Sequence, residues 1–200
     1  MRKLLVTFAF ALLVPFAAQG QTANSEPDFQ FRIPVQFQGK HMAAWVVLPD
    51  LTAPGNHGAV LMVAGPMFRY GKEDKSSIQT LTGARLNQDR NRYVDPLLNL
   101  RVSEGRIPRV SVFADIQFFP REARRRFYWL VFAETPVAGS LKIGAEAEGT
   151  HPFGGRRDIA GAGPRASWAP PGKLPVRFAV AYHVRNGQDI VRFYVAFNFR

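Results

Sequence analysis

The sequence predicts an all-β fold, an antiparallel sandwich of about eight or nine strands with long loops. Three observations carry that expectation. Apolar residues recur with period two from Phe29 to Phe37 and again through the last 25 residues. Asn186-Gly187 separates two such runs, the strongest short hairpin signal because both positions tolerate positive φ. Turn residues punctuate the chain at short intervals, and helical periodicity is scarce.

Phe29, Phe31, Ile33, Val35 and Phe37 alternate with Gln30, Arg32, Pro34, Gln36 and Gln38. Such alternation reads as a half-buried strand, and Pro34, which cannot donate to a ladder, marks it as an edge or bulged strand. Gly39-Lys40 turns into a second strand at His41 to Leu48. Pro49 to Gly58 reads as a loop, and Ala59 to Ala64 as a short buried strand closed by Gly65-Pro66. Residues 69–91 are polar, with a short helix expected around Asp74 to Leu81. Strand character resumes at Tyr93 to Val102 and at Arg109 to Phe119. Arg126 to Ala133 is apolar on both faces, as expected of a strand covered on both sides. Ser140 to Glu148 alternates more weakly, and the Gly- and Pro-rich stretch 149–175 reads as a long loop.

In the final hairpin, Val176, Phe178, Val180, Tyr182 and Val184 share one face with Val191, Phe193, Val195, Phe197 and Phe199. A loop of even length is required, since an odd one would turn Arg192 inward with the apolar set. The opposite face carries Arg177, His183, Arg192, Ala179, Ala181 and Tyr194, and reads as a solvated sheet face.

Residues 1–20 have the layout of a cleaved secretory signal peptide: Arg2 and Lys3, an apolar run from Leu4 to Pro15, then small residues before Gln21. The run is too short to span a bilayer, which takes ~20 residues. Residues 21–27 form a flexible tether, and 28–200 a single domain. The expectation is an exported protein, periplasmic or secreted.

Cys is absent, which excludes disulfides, thiol catalysis and thiolate metal sites. The formal charge is +11, and 20 of the 26 basic residues are Arg. An exported chain seldom meets nucleic acid, so the charge points to an envelope or extracellular protein, an anionic polysaccharide or a membrane surface.

No Gly-x-Ser-x-Gly elbow is present. The four His residues stand apart from one another, and no metal or cofactor is expected. Asp115, with Glu134 on the next strand, is the carboxylate pair a hydrolase would use. Arg121, Arg124, Arg125 and Arg126 form a basic hairpin loop. Arg156 and Arg157 follow Gly154-Gly155 in a loop of anion-binding composition. Trp168 could stack on a sugar or anchor a partner. These seven residues are the candidate binding set. The favoured function is a non-catalytic β-sandwich that binds or assembles with an envelope partner. The alternatives are a hydrolase of envelope or extracellular polymer and a small outer-membrane β-barrel.

Overall fold

In the computed structural model, which describes residues 28–48, 59–87, 93–121, 125–154 and 158–199, the chain is a closed β-barrel and not a sandwich. Eleven strands follow one another around the wall in chain order: β1 (Asp28–Gln38), β2 (Met42–Leu48), β3 (Ala59–Tyr70), β4 (Ser76–Asn87), β5 (Tyr93–Glu104), β6 (Ser111–Phe119), β7 (Arg126–Ala138), β8 (Leu141–Pro152), β9 (Ile159–Trp168), β10 (Val176–Arg185) and β11 (Gln188–Phe199). Consecutive strands are antiparallel. An odd number therefore leaves β1 and β11 pointing the same way, and the ladder that closes the barrel is parallel, pairing Phe31 with Phe193 and Phe37 with Phe199.

Closure explains what alternation could not. Period two says which residues share a face, not whether that face looks toward protein or away from it. The apolar sets of β1, β10 and β11 do share a face, and that face is the outside: Phe29, Phe37, Phe178, Val180 and Phe199 are all exposed. The face read as solvated is the lumen, where His183 and Arg192 are fully buried. β7 has apolar residues on both sides because Phe127, Trp129 and Val131 point out while Tyr128, Leu130 and Phe132 point into a lumen packed with side chains.

Several boundaries differ from expectation. Gly65-Pro66 does not end β3, which continues to Tyr70. The helix expected near 74–81 is a single 3-10 turn, Lys72–Asp74, followed directly by β4. The stretch 149–175 holds the end of β8 and all of β9. Pro34 lies in a closed wall with no edge, and the parallel ladder is interrupted at Ile33 and Pro34 instead. The final hairpin has a loop of even length, as expected: two residues, pairing Arg185 with Gln188, with Asn186 at φ 50° and Gly187 at φ 79°. The leader and tether, residues 1–27, lie outside the described residues.

The near rim carries the β1–β2, β3–β4, β5–β6, β7–β8 and β9–β10 connections, and the far rim the remaining ones. Outward aromatics gather toward the two rims: Phe37, Phe68, Tyr70, Trp168, Phe178, Phe197 and Phe199 near one, Phe29, Phe31, Phe118, Phe127, Trp129, Tyr182 and Phe193 toward the other. Between them the outer wall is aliphatic, with Met62, Leu98, Leu100, Ile116, Val131 and Val180, and Thr80 and Thr82 as its polar members. Charged outward positions are held at strand ends, Glu104 on β5 and Asp189 on β11.

Inward glycines let the wall bend. A Cβ at Gly83 would fall 1.9 Å from the Met62 carbonyl oxygen, and one at Gly163 would fall 1.7 Å from that of Tyr182. Only glycine permits strands to curl together so closely at these points.

Candidate functional site

The lumen is divided into two walls. On β2 to β6 it carries an apolar cluster, Ala43, Leu61, Val63, Met67, Leu81, Leu97 and Phe119, flanked by Trp45, Val47 and Tyr128, beside the buried polar Gln79, Asn99, Arg101 and Asp115. Along β7 to β11 and β1 it is ionic.

The ionic wall starts from β8, where Glu146 and Glu148 are two residues apart and both point inward. Across the ladder they meet Gly163 and Gly161, which have no side chains. The vacated space admits long side chains from β9, β10 and β11. Arg192 donates from Nη2 to Glu148 Oε1 at 2.6 Å, from Nη1 to Glu146 Oε1 at 3.3 Å, and from Nη2 to Gln30 Oε1 at 2.7 Å, across the parallel seam. Tyr194 donates its hydroxyl to Glu146 Oε1 at 2.5 Å. Arg165 donates from Nε to Glu134 Oε1 at 2.7 Å and from Nη1 to Glu146. Its guanidinium lies over the rings of Phe132 and Tyr194, 4.2 and 4.7 Å from their centres.

His183 completes this group. Nε2 lies 3.0 Å from Glu146 Oε1 but is not aligned for a hydrogen bond, and Nδ1, 4.0 Å from Glu148 Oε1, is too far for one. Further out, Tyr128 donates to Glu148 Oε2 at 2.9 Å and itself accepts from Arg32 at 3.1 Å. Arg185 stands 3.5 Å from Glu148, and Arg177 3.7 Å from Glu134. Each carboxylate thus faces at least two cations. Burying a carboxylate demands such company, because an isolated charge in a low-dielectric interior is prohibitive.

Arg165 has a second consequence. Before Trp168 the outward face of β9 is Ala160, Ala162, Pro164 and Ala166, and its inward face includes Gly161 and Gly163. A strand of small residues specifies its register weakly. Ion pairs from Arg165 to β7 and β8 supply the missing specification.

A separate cluster joins β5 to β6. Asp115 accepts from Arg101 Nε at 3.2 Å and Nη2 at 3.3 Å, from Asn99 at 2.5 Å and from Gln117 at 3.0 Å. Arg101 also stacks on Trp45, 4.0 Å from the ring centre, and Trp45 donates to Gln79 at 2.8 Å. Asp115 and Glu134 are not a pair: Asp115 lies opposite Leu130, and Glu134 opposite Ser111, four residues earlier on β6.

The candidate binding residues do not converge. Arg121 is a far-rim residue that donates to the Val94 carbonyl at 3.2 Å. Arg125 is exposed on the same rim. Arg126 points into the lumen, 3.1 Å from Asp95 and over the Phe119 ring. Trp168 is on the outer wall by the near rim, stacked on Phe178 at 5.9 Å. Arg124, Arg156 and Arg157 lie outside the described residues.

Sequence reading missed Glu146, Glu148, Arg165 and Arg101. The available signal was charge at inward positions of otherwise apolar or small-residue strands, repeated in β5, β8, β9, β10 and β11. Among the described residues no group of His, Asp and Glu could hold a metal ion. No family model, no curated protein and no solved structure matches this chain.

What this arrangement does chemically is fill and fasten. His183, Arg192 and Asp95 have 0% of their surface accessible, and Arg101 2%. A water-filled channel along the axis would leave such residues wet.

Proposed function

We propose that this chain is a membrane-spanning β-barrel of the outer-membrane type, exported by its leader, whose ionic interior keeps the lumen shut. The observation that carries this reading is the inversion of polarity. The outer wall is an aliphatic band between two aromatic zones, while buried charge is gathered inside. In water that arrangement would expose an apolar surface far larger than soluble monomers tolerate. In a bilayer it is the expected one, because lipid replaces the core on the outside and aromatic rings settle at the interfaces.

Dimensions agree. A tilted strand needs about 9–11 residues to cross the hydrocarbon, and nine of the eleven strands have 10 to 13. Closure satisfies every strand edge, the condition that lipid imposes on a sheet. The soluble binding module rested on a sandwich, and that premise falls with the sandwich. A hydrolase has no support in the lumen, where Asp115 and Glu134 are tied to arginines and apart.

Three tryptophans make the test. In single-Trp variants reconstituted with lipids brominated along the acyl chains, Trp129 and Trp168 are expected to be quenched and Trp45 to be spared. The folded protein is also expected to run at a different position on a denaturing gel before and after boiling. Unquenched Trp129 and Trp168, or full solubility of residues 21–200 without detergent, would overturn the reading.

A further inference from the structure

The outer wall is indented at the near rim. A groove of about 420 Å³ opens sideways there, lined by Phe37, Met42, Ala44, Ala64 and Phe199, with Gly39 at its rim end. The register explains its shape. Phe199, Phe37, Ala44 and Ala64 form one outward row across β11, β1, β2 and β3, so two large rings give way to two methyl groups. Phe37 and Phe199 stack with centres 5.3 Å apart and hold each other as a fixed side of the groove. Met42, more than half exposed, faces them from the rim end.

The rim above the groove is positive. The β1–β2 turn holds Lys40 and His41, both exposed, and no acidic residue lies between Gln38 and Leu48. Behind the turn, Arg69 Nη2 donates to Gln38 Oε1 and to the Gly39 carbonyl, both at 3.3 Å, which places a guanidinium beside it. The neighbouring β3–β4 turn balances Lys72 and Lys75 against Glu73 and Asp74, so the surplus charge belongs to the first turn.

We infer that this groove seats one acyl chain of an anionic glycerophospholipid, its phosphate drawn to the Lys40 turn. The inference rests on the membrane-spanning reading. An apolar trench that ends under a cationic turn matches the two parts of such a lipid, a tail and a negative headgroup. The outer face of β8 and β9 offers a partial contrast: Ala145, Ala147, Ala160, Ala162 and Ala166 are small there too, but the Trp129 ring lies over Gly149 and occupies the space beside them.

The experiment is native mass spectrometry of the full-length protein in mild detergent. Phosphatidylglycerol or phosphatidylethanolamine of identical acyl chains would be added in turn. The expected result is one retained lipid per barrel, with phosphatidylglycerol favoured several-fold. Ala64→Phe should abolish retention by filling the trench. Lys40→Gln should keep a lipid but bring the preference close to one. A phosphatidylglycerol with a photoreactive tail should label Met42 or Phe199 in the unaltered protein, a readout that needs no variant.

Retention unchanged in Ala64→Phe, labelling scattered around the wall, or equal retention of both lipids would show ordinary annular lipid only and overturn the inference. The gel shift on boiling separates the two failures. If the shift persists without retained lipid, the groove is wrong and the barrel stands; if the shift is absent, the barrel reading itself fails.

Discussion

The two walls of the lumen solve one problem by opposite means. On β2 to β6 the interior is closed chiefly by an apolar cluster that includes Leu61, Val63, Leu81 and Leu97, which need only shape and burial, with the Arg101–Asp115 group beside it. Along β7 to β11 it is closed by Arg165, Arg192, Glu134, Glu146 and Glu148, which need each other. The apolar wall is forgiving, since a similar side chain of similar volume can take each place. The ionic wall is not, because a substitution leaves buried charges short of the company that offsets their burial. The difference teaches where geometry is specified. Strands β8 and β9 are rich in Gly and Ala and have little side-chain bulk to fix their register; directional ion pairs do it for them.

The largest effect is therefore expected on the ionic side. Arg192→Ala takes a guanidinium away from Glu148, Glu146 and Gln30 at once, and should lower stability by roughly 3–5 kcal/mol. Urea-induced unfolding in detergent micelles, read by the boiling-sensitive gel shift, measures it. The same logic gives a sharper form at the β5–β6 cluster. Asp115→Ala alone should be severe, since it abandons Arg101. Replacing both, Asp115→Leu with Arg101→Met, should recover most of the loss, because no charge is then left unpaired. A double variant as unstable as the single one would mean that the pair contributes more than mutual compensation.

Next comes the apolar wall. Leu97→Ala removes a side chain that is 2% exposed and should cost roughly 2–5 kcal/mol, depending on how far the wall relaxes into the gap. Its neighbour Leu98 is 54% exposed on the outer face. On the membrane-spanning reading Leu98→Ala should be nearly silent, because lipid would fill the space that protein leaves. Leu98→Arg should cost roughly 2–4 kcal/mol if the outer wall meets hydrocarbon. These adjacent positions compare the lumen with the outside within one strand. A neutral Leu98→Arg would count against the bilayer.

Sequence reading went some way into this molecule. The strands β1, β2, β5, β6 and β7, the terminal hairpin and its even loop followed from period two and from Asn186-Gly187. What stayed hidden was direction. A strand with Phe29, Phe31, Ile33, Val35 and Phe37 on one face looks the same whether that face meets a protein core or a lipid. The inner face would have decided it, since Gln30, Arg32, Gln36, Arg101, Glu146, Glu148, Arg165 and Arg192 are too many polar groups at regular spacing for chance solvation. Their partners come from strands far apart in sequence: Arg192 meets Gln30 across 162 residues. No local pattern encodes such a contact. The long stretch 149–175 misled for a related reason. Gly161, Gly163 and Pro164 read as loop by propensity, yet glycine is what a tightly bent wall requires at its inward positions.

The smallest expected effect concerns the hairpin that was most legible. Asn186 and Gly187 sit at φ 50° and 79°, so both central positions of the turn are left-handed. Glycine reaches this region without strain, whereas a Cβ resists it. Gly187→Ala meets no neighbour, since the space around a Cβ there is open. The penalty is therefore purely conformational, roughly 1–2 kcal/mol. It should appear as a slightly lower midpoint in the same urea titration, with lumen and outer wall unchanged. Were the loss instead as large as for Arg192→Ala, the turn would have to be setting the register of β10 against β11. The pairing of His183 with Ile190 and of Ala181 with Arg192 would then depend on it, and the ionic wall would be following the hairpin, not specifying the strands around it.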